Sequence, residues 1–288
     1  MSNHSTKLSF ELFPPNSWRG LQNLTHTCDE LNTLNPSYFS LTFGAAGATQ
    51  EKTVHLAKNL AHRYKVLVPH LSCVNMTKEK LLNLLDDYKN HGIDRLLVIR
   101  GDFTKETETL PRDFNYANEL ITFIREKTSD YFHITVAAYP EFHPEAKSSH
   151  DDFLNFKRKI DAGANSAVTQ FFFNTDAYFR FIDECHRRGI SVPITPGIMP
   201  IIDYNRLTRF AGLCGAEIPL WLRKQLDRFS NDSDSIKEFG IEIVTKLCET
   251  LLRQGVNSFH FYTLNQVEPV KQICEDLLIK EPFQSLAA

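Results

Sequence analysis

Short apolar runs alternate with longer amphipathic ones along the whole chain. KLSFELF (Lys7 to Phe13), YFSLTF (Tyr38 to Phe43), VLVPHLSC (Val66 to Cys73) and RLLVIRGD (Arg95 to Asp102) read as strands. HITVAAYP (His133 to Pro140), SAVTQFFF (Ser166 to Phe173), PITPGIMP (Pro193 to Pro200) and SFHFYTL (Ser258 to Leu264) continue the series to eight. Helical periods separate them. TKEKLLNLLDDYKNHG, from Thr77 to Gly92, opens on a Thr cap and closes on Gly, and FNYANELITFIREKT, DDFLNFKRKIDAGA and DAYFRFIDECHRRG follow the same period. A longer helical region from about Tyr204 to Gly255 breaks near Gly212–Pro219, and a last helix runs from about Glu268 to Lys280.

Strict alternation of strand and helix predicts a parallel sheet with right-handed crossovers. Eight repeats over roughly 250 residues predict its closure, so the expected fold is α/β, a (β/α)8 TIM barrel. No linker, low-complexity stretch or charge block divides residues 1–288, which predicts one catalytic domain. A doubly wound sheet is the competing architecture. It would favour a Gly-rich phosphate loop after the first strand, and the nearest approach, GAAG at Gly44 to Gly47, lacks the G-x-G-x-x-G spacing.

Composition narrows the function classes. The 288 residues are 42% hydrophobic and carry a formal net charge of -3, so no basic field points to nucleic acid or to an acidic membrane. Six cysteines without a C-x-x-C pair read as reduced core thiols, and no metal site is expected. The opening MSNHSTKLSF lacks the apolar region of a signal peptide, and no stretch approaches the ~18 apolar residues of a membrane span. These features predict a cytoplasmic protein.

In a barrel the chemistry sits at the C-terminal ends of the strands. Alternation puts Leu8, Phe10 and Leu12 on one face of the first strand, with Ser9, Glu11 and Phe13 on the other. The apolar face should meet the helices, so Glu11 should point into the barrel. Burial there would raise its pKa and suit it to donating a proton; the alternative is a structural ion pair with a neighbouring Lys or Arg. Asp102 follows Gly101, where backbone can approach a ligand closely, or it is a turn or cap residue. His70 inside VLVPHLSC reads on its own as a hydrogen-bonded core histidine. Gln170, an amide between apolar neighbours, needs a partner that a heteroaromatic ligand would supply. Asp152, Asn155, Arg158 and Lys159 share a broad face expected near the start of the fifth helix. That face is either solvated or a diphosphate clamp, to which His143 and Lys147 would add.

At these residues the chain resembles the bacterial methylenetetrahydrofolate reductases over nearly its whole length. The resemblance is carried by SFELFPP, SLTFGA, PHLSC, RGD, AAYPEFHPEAK, LNFKRKIDAGA, TQFFFN, PGIMPI and FHFYTLN, in the family's order. It implies a flavoprotein in which NADH, with NADPH as the alternative donor, reduces FAD, and FAD then reduces 5,10-methylenetetrahydrofolate to 5-methyltetrahydrofolate. That product supplies methyl groups for methionine synthesis. The resemblance makes Glu11 the general acid and Asp102 a fixed negative charge between flavin and pterin. It puts Gln170 and Phe210 against the folate and Thr42 where nicotinamide docks. FAD contacts carry over to Phe43, His70, Arg100, Gly101, Asp102, Ala117, Tyr139, His143, Ala146, Asp152, Asn155, Arg158 and Lys159.

With no separate dinucleotide motif, NADH and folate are expected to take turns on one flavin face in ping-pong fashion. The resemblance also implies a homo-oligomer, a tetramer or a dimer, without the regulatory domain of eukaryotic relatives. The chain departs from the family at Gln266, where relatives often carry Arg for the folate's glutamate tail, and at Arg206, which replaces a residue commonly uncharged. The two changes would move a positive charge across the folate site. A Schiff-base aldolase barrel would want a Lys in a late strand, which TQFFF and FHFYTL lack. Proline dehydrogenase does not join YPEFHPEAK to TQFFF. A folate- or flavin-storing protein without chemistry would have no need of both Glu11 and Asp102.

Overall fold

The computed structural model describes residues 6–43, 50–102, 105, 107–229 and 232–280. The Gly44–Gly47 stretch lies outside the described residues. Strands and helices alternate as β1 (Lys7–Leu12), α1 (Trp18–Asn32), β2 (Tyr38–Leu41), α2 (Gln50–Arg63), β3 (Leu67–Ser72), α3 (Lys78–Asn90), β4 (Arg95–Ile99) and α4 (Ala117–Thr128). They continue as β5 (His133–Ala138), α5 (Ser149–Asp161), β6 (Ser166–Thr169), α6 (Thr175–Arg187), β7 (Ile194–Thr195) and β8 (Gly197–Ile198). Three helices follow, α7 (Tyr204–Cys214), α8 (Leu220–Phe229) and α9 (Ser233–Arg253), then β9 (Ser258–Tyr262) and α10 (Val270–Lys280).

All strand pairings are parallel, in the order β7-β6-β5-β4-β3-β2-β1-β9-β8. The expected seventh strand is two pieces. Pro196 has no N–H to continue a ladder. Before it, Ile194 and Thr195 pair with Ala167 and Val168 of β6. After it, Gly197 and Ile198 pair with His260 and Phe261 of β9. The barrel thus closes through one stretch of chain that changes partner at Pro196. The other strands end earlier than their apolar runs: Phe13, Phe43, Arg100 to Asp102 and Gln170 to Phe173 leave the ladder. Their backbones turn onto the rim, where strand hydrogen bonding gives way to loops.

The alternation along β1 sets the layers. Leu8, Phe10 and Leu12 are at most 3% exposed, and the Phe10 ring lies 5.9 Å from Phe39 and 6.1 Å from Phe261, in the apolar layer under the helices. Helices supply the other half at helical spacing, as Leu24, Cys28 and Leu31 do on α1. Several helices start on side-chain caps: Thr77 accepts from Lys80 N, Ser148 from Asp151 N, Asn174 from Asp176 N and Asp203 from Arg206 N. All six cysteines are free thiols. Among the described residues no helix is long and apolar enough to cross a membrane.

The closing stretch depends on Gly197. A Cβ there would lie 2.1 Å from Thr169 O and 2.6 Å from the Tyr262 ring. Gly197→Ala should therefore lower the unfolding free energy in urea by about 1–3 kcal/mol through overpacking. An unchanged midpoint and slope would show that the closure has slack.

Candidate active site

The C-terminal ends of the strands open into a cavity of about 1340 Å³. Glu11 reaches it from β1 and is 9% exposed. No Lys or Arg pairs with Glu11 among the described residues; its neighbour is His70 of β3, with Nε2 3.6 Å from Glu11 Oε2. Burial pushes Glu11 up to about 8 and His70 down to about 3. Both are therefore neutral near pH 7, and their contact is neither an ion pair nor, at that length, a good hydrogen bond. His70 Nε2 has no hydrogen-bond partner among the described residues, so the core-histidine expectation does not account for it.

A second buried histidine lies deeper. His260 Nδ1 is 2.8 Å from Ser9 Oγ, and its ring stacks on Tyr38 with centroids 5.6 Å apart. Burial, reinforced by His70, pushes it down to about 3. Tyr262 sits across from Glu11 in the β1–β9 register, and its hydroxyl donates to Thr169 O at 2.7 Å. Both residues line the cavity, and the sequence reading missed them. The signal was available. SFHFYTL alternates as the first strand does, with Phe259 and Phe261 on one face and His260 and Tyr262 on the other.

The chain leaving β1 is held by the turn after β9. Thr263 Oγ1 donates to Glu11 O at 2.6 Å. The Asn265 side chain both accepts from Phe13 N and donates to Phe13 O, each at 2.8 Å. Across the mouth, Gly101 has φ 79, a left-handed conformation that presents Asp102 to the cavity. Arg100 does not line the cavity itself but pairs at 2.6 Å with Glu145, which does. From the loop after β5, Tyr139 and His143 line the cavity with rings 4.7 Å apart. Thr42, Phe43 and Phe210 line it too, and Thr42 Oγ1 is buried without a hydrogen-bond partner among the described residues. Gln170 also lines it, its Oε1 accepting from Phe171 N at 3.0 Å.

The α5 face is placed differently from the expectation. The helix begins at Ser149, so only Asp152 lies in its first turn, while Arg158 and Lys159 lie in its last. Asp152 accepts from His143 N at 3.0 Å, which fixes the loop above it. Lys159 reaches back to donate to Ala137 O at 2.6 Å, and burial pushes it down to about 8 against the opposing pull of Asp152. Asn155 and Arg158 are exposed and bonded to each other at 2.6 Å. None of these four lines the cavity, nor do Arg100, Ala146 and Ala117. Ala117 starts α4 and is 6% exposed in the core. No cluster able to hold a metal ion occurs among the described residues.

The family model described as methylenetetrahydrofolate reductase matches residues 1–278. The 5,10-methylenetetrahydrofolate reductase of Escherichia coli (strain K12) is 39% identical over 274 residues, covering 95% of this chain and 91% of that protein. Methylenetetrahydrofolate reductase (NADH) 1 of Arabidopsis thaliana is 37% identical over 273 residues, 90% of this chain and 46% of that longer protein. Among solved structures, an uncharacterized Clostridium thermocellum protein that binds two copies of 5-methyl-5,6,7,8-tetrahydrofolic acid shares the fold. It superposes with a TM-score of 0.67 at 15% identity, over 96% of each chain.

The buried carboxyl makes a test of the site that needs no ligand. Glu11 is raised from 4.5 in the unfolded reference to about 8 in the fold. Between those values the folded chain keeps a proton that the unfolded chain has lost, so Glu11's contribution to stability falls as pH rises. His70 and His260 act oppositely, but below about pH 6.5. Glu11→Gln should therefore gain stability relative to the parent as pH goes from about 5 to about 8 in denaturant titrations. A difference that does not change with pH would mean that Glu11 is ionised in the fold.

Proposed function

We propose that this chain, which belongs to the methylenetetrahydrofolate reductase family, reduces 5,10-methylenetetrahydrofolate to 5-methyltetrahydrofolate with FAD held in the barrel mouth and NADH as electron donor. The observation that carries this reading is Glu11, a carboxyl whose own surroundings keep a proton on it, at the wall of a cavity of about 1340 Å³. A volume above the usual ligand range of roughly 300–1,000 Å³ suits a dinucleotide together with a second ligand. The buried and unpartnered His70 Nε2 and Thr42 Oγ1 fit a ligand rich in ring nitrogens and carbonyls.

The residues that would hold FAD are Phe43, His70, Gly101, Asp102, Tyr139 and His143 at the cavity, with Arg100, Ala117, Ala146, Asp152, Asn155, Arg158 and Lys159 outside it. When bound, FAD supplies two-electron chemistry, taken from NADH and given to the folate in separate turns. The chain's own part is proton and charge. Glu11 donates the proton that opens the bridging five-membered ring of the substrate, which leaves an iminium cation on the pterin. Asp102, exposed at the rim beside Gly101, supplies negative charge toward that cation. Gln170 and Phe210 hold the pterin and the aromatic ring of the folate, and Thr42 meets the nicotinamide. Arg206 stands over Phe210 with its guanidinium carbon 5.9 Å from the ring centre, exposed and suited to the carboxylates of the folate tail.

Two substitutions separate these roles. NADH should bleach the yellow FAD-loaded protein without oxygen, and methylenetetrahydrofolate should restore the colour. Glu11→Gln should bleach at close to the parent rate but recolour about 100-fold more slowly or worse, the usual scale of a lost general acid; equal loss in both steps would remove Glu11 from the proton-donor role. Arg206→Ala should raise the folate KM about tenfold, the loss of one charge-assisted hydrogen bond, and leave NADH oxidation with an artificial acceptor unchanged. A KM that does not move would place the tail elsewhere.

A further inference from the structure

Behind the cavity wall two loops meet the end of a helix. The chain after β5 supplies Tyr139, Glu141 and Phe142, the chain after β6 supplies Gln170 and Phe171, and α7 supplies Cys214, and together with Gly215 and Ala216 they enclose a narrow cleft. Tyr139, Gln170, Phe171 and Cys214 also line the main cavity, so the cleft is the back of its wall.

Glu141 bridges the cleft. Its Oε2 accepts from Glu217 N at 2.7 Å, just past the end of α7. Its Oε1 is buried with no hydrogen-bond partner among the described residues. Burial raises its pKa, against the lowering by the Glu217 N–H. A half-satisfied carboxyl in such a place costs stability. What it supplies is a tie between two segments that already approach at backbone distance: a Cβ on Gly215 would lie 3.0 Å from Phe142 O, at φ 75. The helix so tied carries Phe210 and Cys214 into the cavity wall.

We infer that Glu141 is a positioning residue: it pins the end of α7 to the β5 loop and so sets the gap between Phe210 on the helix and Tyr139 and Gln170 on the barrel rim. That the occupant of the gap is the folate rests on the function proposed above; the tie itself does not.

Hydrogen exchange and steady-state kinetics of Glu141→Ala, Glu141→Gln and Gly215→Ala test this. Glu141→Ala should speed exchange of the Glu217 amide about tenfold or more. It should raise the folate KM about five- to tenfold with kcat, FAD affinity and anaerobic bleaching by NADH within about twofold. Glu141→Gln keeps an oxygen that accepts from Glu217 N and should restore the KM, while Gly215→Ala, which pushes the segments apart, should reproduce the defect. Unchanged exchange at Glu217, proportional losses of FAD binding and both half-reactions, or a folded Gln variant that fails to rescue would each overturn the inference. A parent protein that takes up no FAD would sink the proposed function instead, and the exchange measurement would still decide the tie.

Discussion

β1 is hydrogen-bonded along both edges, to β2 from Ser9 to Leu12 and to β9 from Lys7 to Glu11. Its side chains therefore have only two directions open to them. Leu8, Phe10 and Leu12 take the helix side, and Ser9 and Glu11 are left inside the barrel. A carboxyl in that position ionises only if the barrel provides a cation. The neighbour provided is an imidazole that burial has also made neutral. The proton on Glu11 is thus a consequence of strand pairing, and the surrounding mouth is shaped around it. Tyr262 lies opposite it in register, its ring has room because residue 197 lacks a side chain, and its hydroxyl is occupied by Thr169 O.

The rim needs a different kind of order, because the ladders stop short of it. Hydrogen bonds from side chains to backbone do the work there. Asn265 takes both backbone groups of Phe13, Thr263 takes Glu11 O, and Asp152 takes His143 N. The Asn265 and Thr263 contacts join segments 252 positions apart, so the end of β1 is fixed by the turn after β9 rather than by its own turn, while Asp152 holds the His143 loop from the helix that follows it. Arg100 illustrates the division. Its side chain is committed to Glu145 of the β5 loop, while the backbone of Gly101 turns Asp102 toward the cavity.

Period-two alternation with one polar face carries most of what was legible in advance. It gave the inward direction of Glu11 and most of the strands, and applied to SFHFYTL it would have given His260 and Tyr262. The barrel followed from the count of repeats, although the break at Pro196 required knowing which neighbour each half would pair with. What alternation does not encode is contact between loops. Glu141 has no periodic signature, and its tie to Glu217 joins residues 76 positions apart. The α5 face was legible as a face but not as a height. Helical spacing fixes angle around the axis, and only the observed bounds, Ser149–Asp161, put Lys159 in the last turn.

The same burial decides which group in the mouth can act as an acid. Desolvation opposes charge of either sign, so it drives carboxyls up and imidazoles down. His70 and His260, both at about 3, hold no spare proton at neutral pH. Glu11, at about 8, holds one, though its ordinary value is the lower. An exposed mouth would reverse this order: the histidines would carry protons in mildly acidic solution and the carboxylate none. Any ligand that fills the cavity displaces water and strengthens the effect, because it takes solvent away from the side on which Glu11 lines the cavity. A substrate that closes over Glu11 thereby helps to keep the proton it is about to receive.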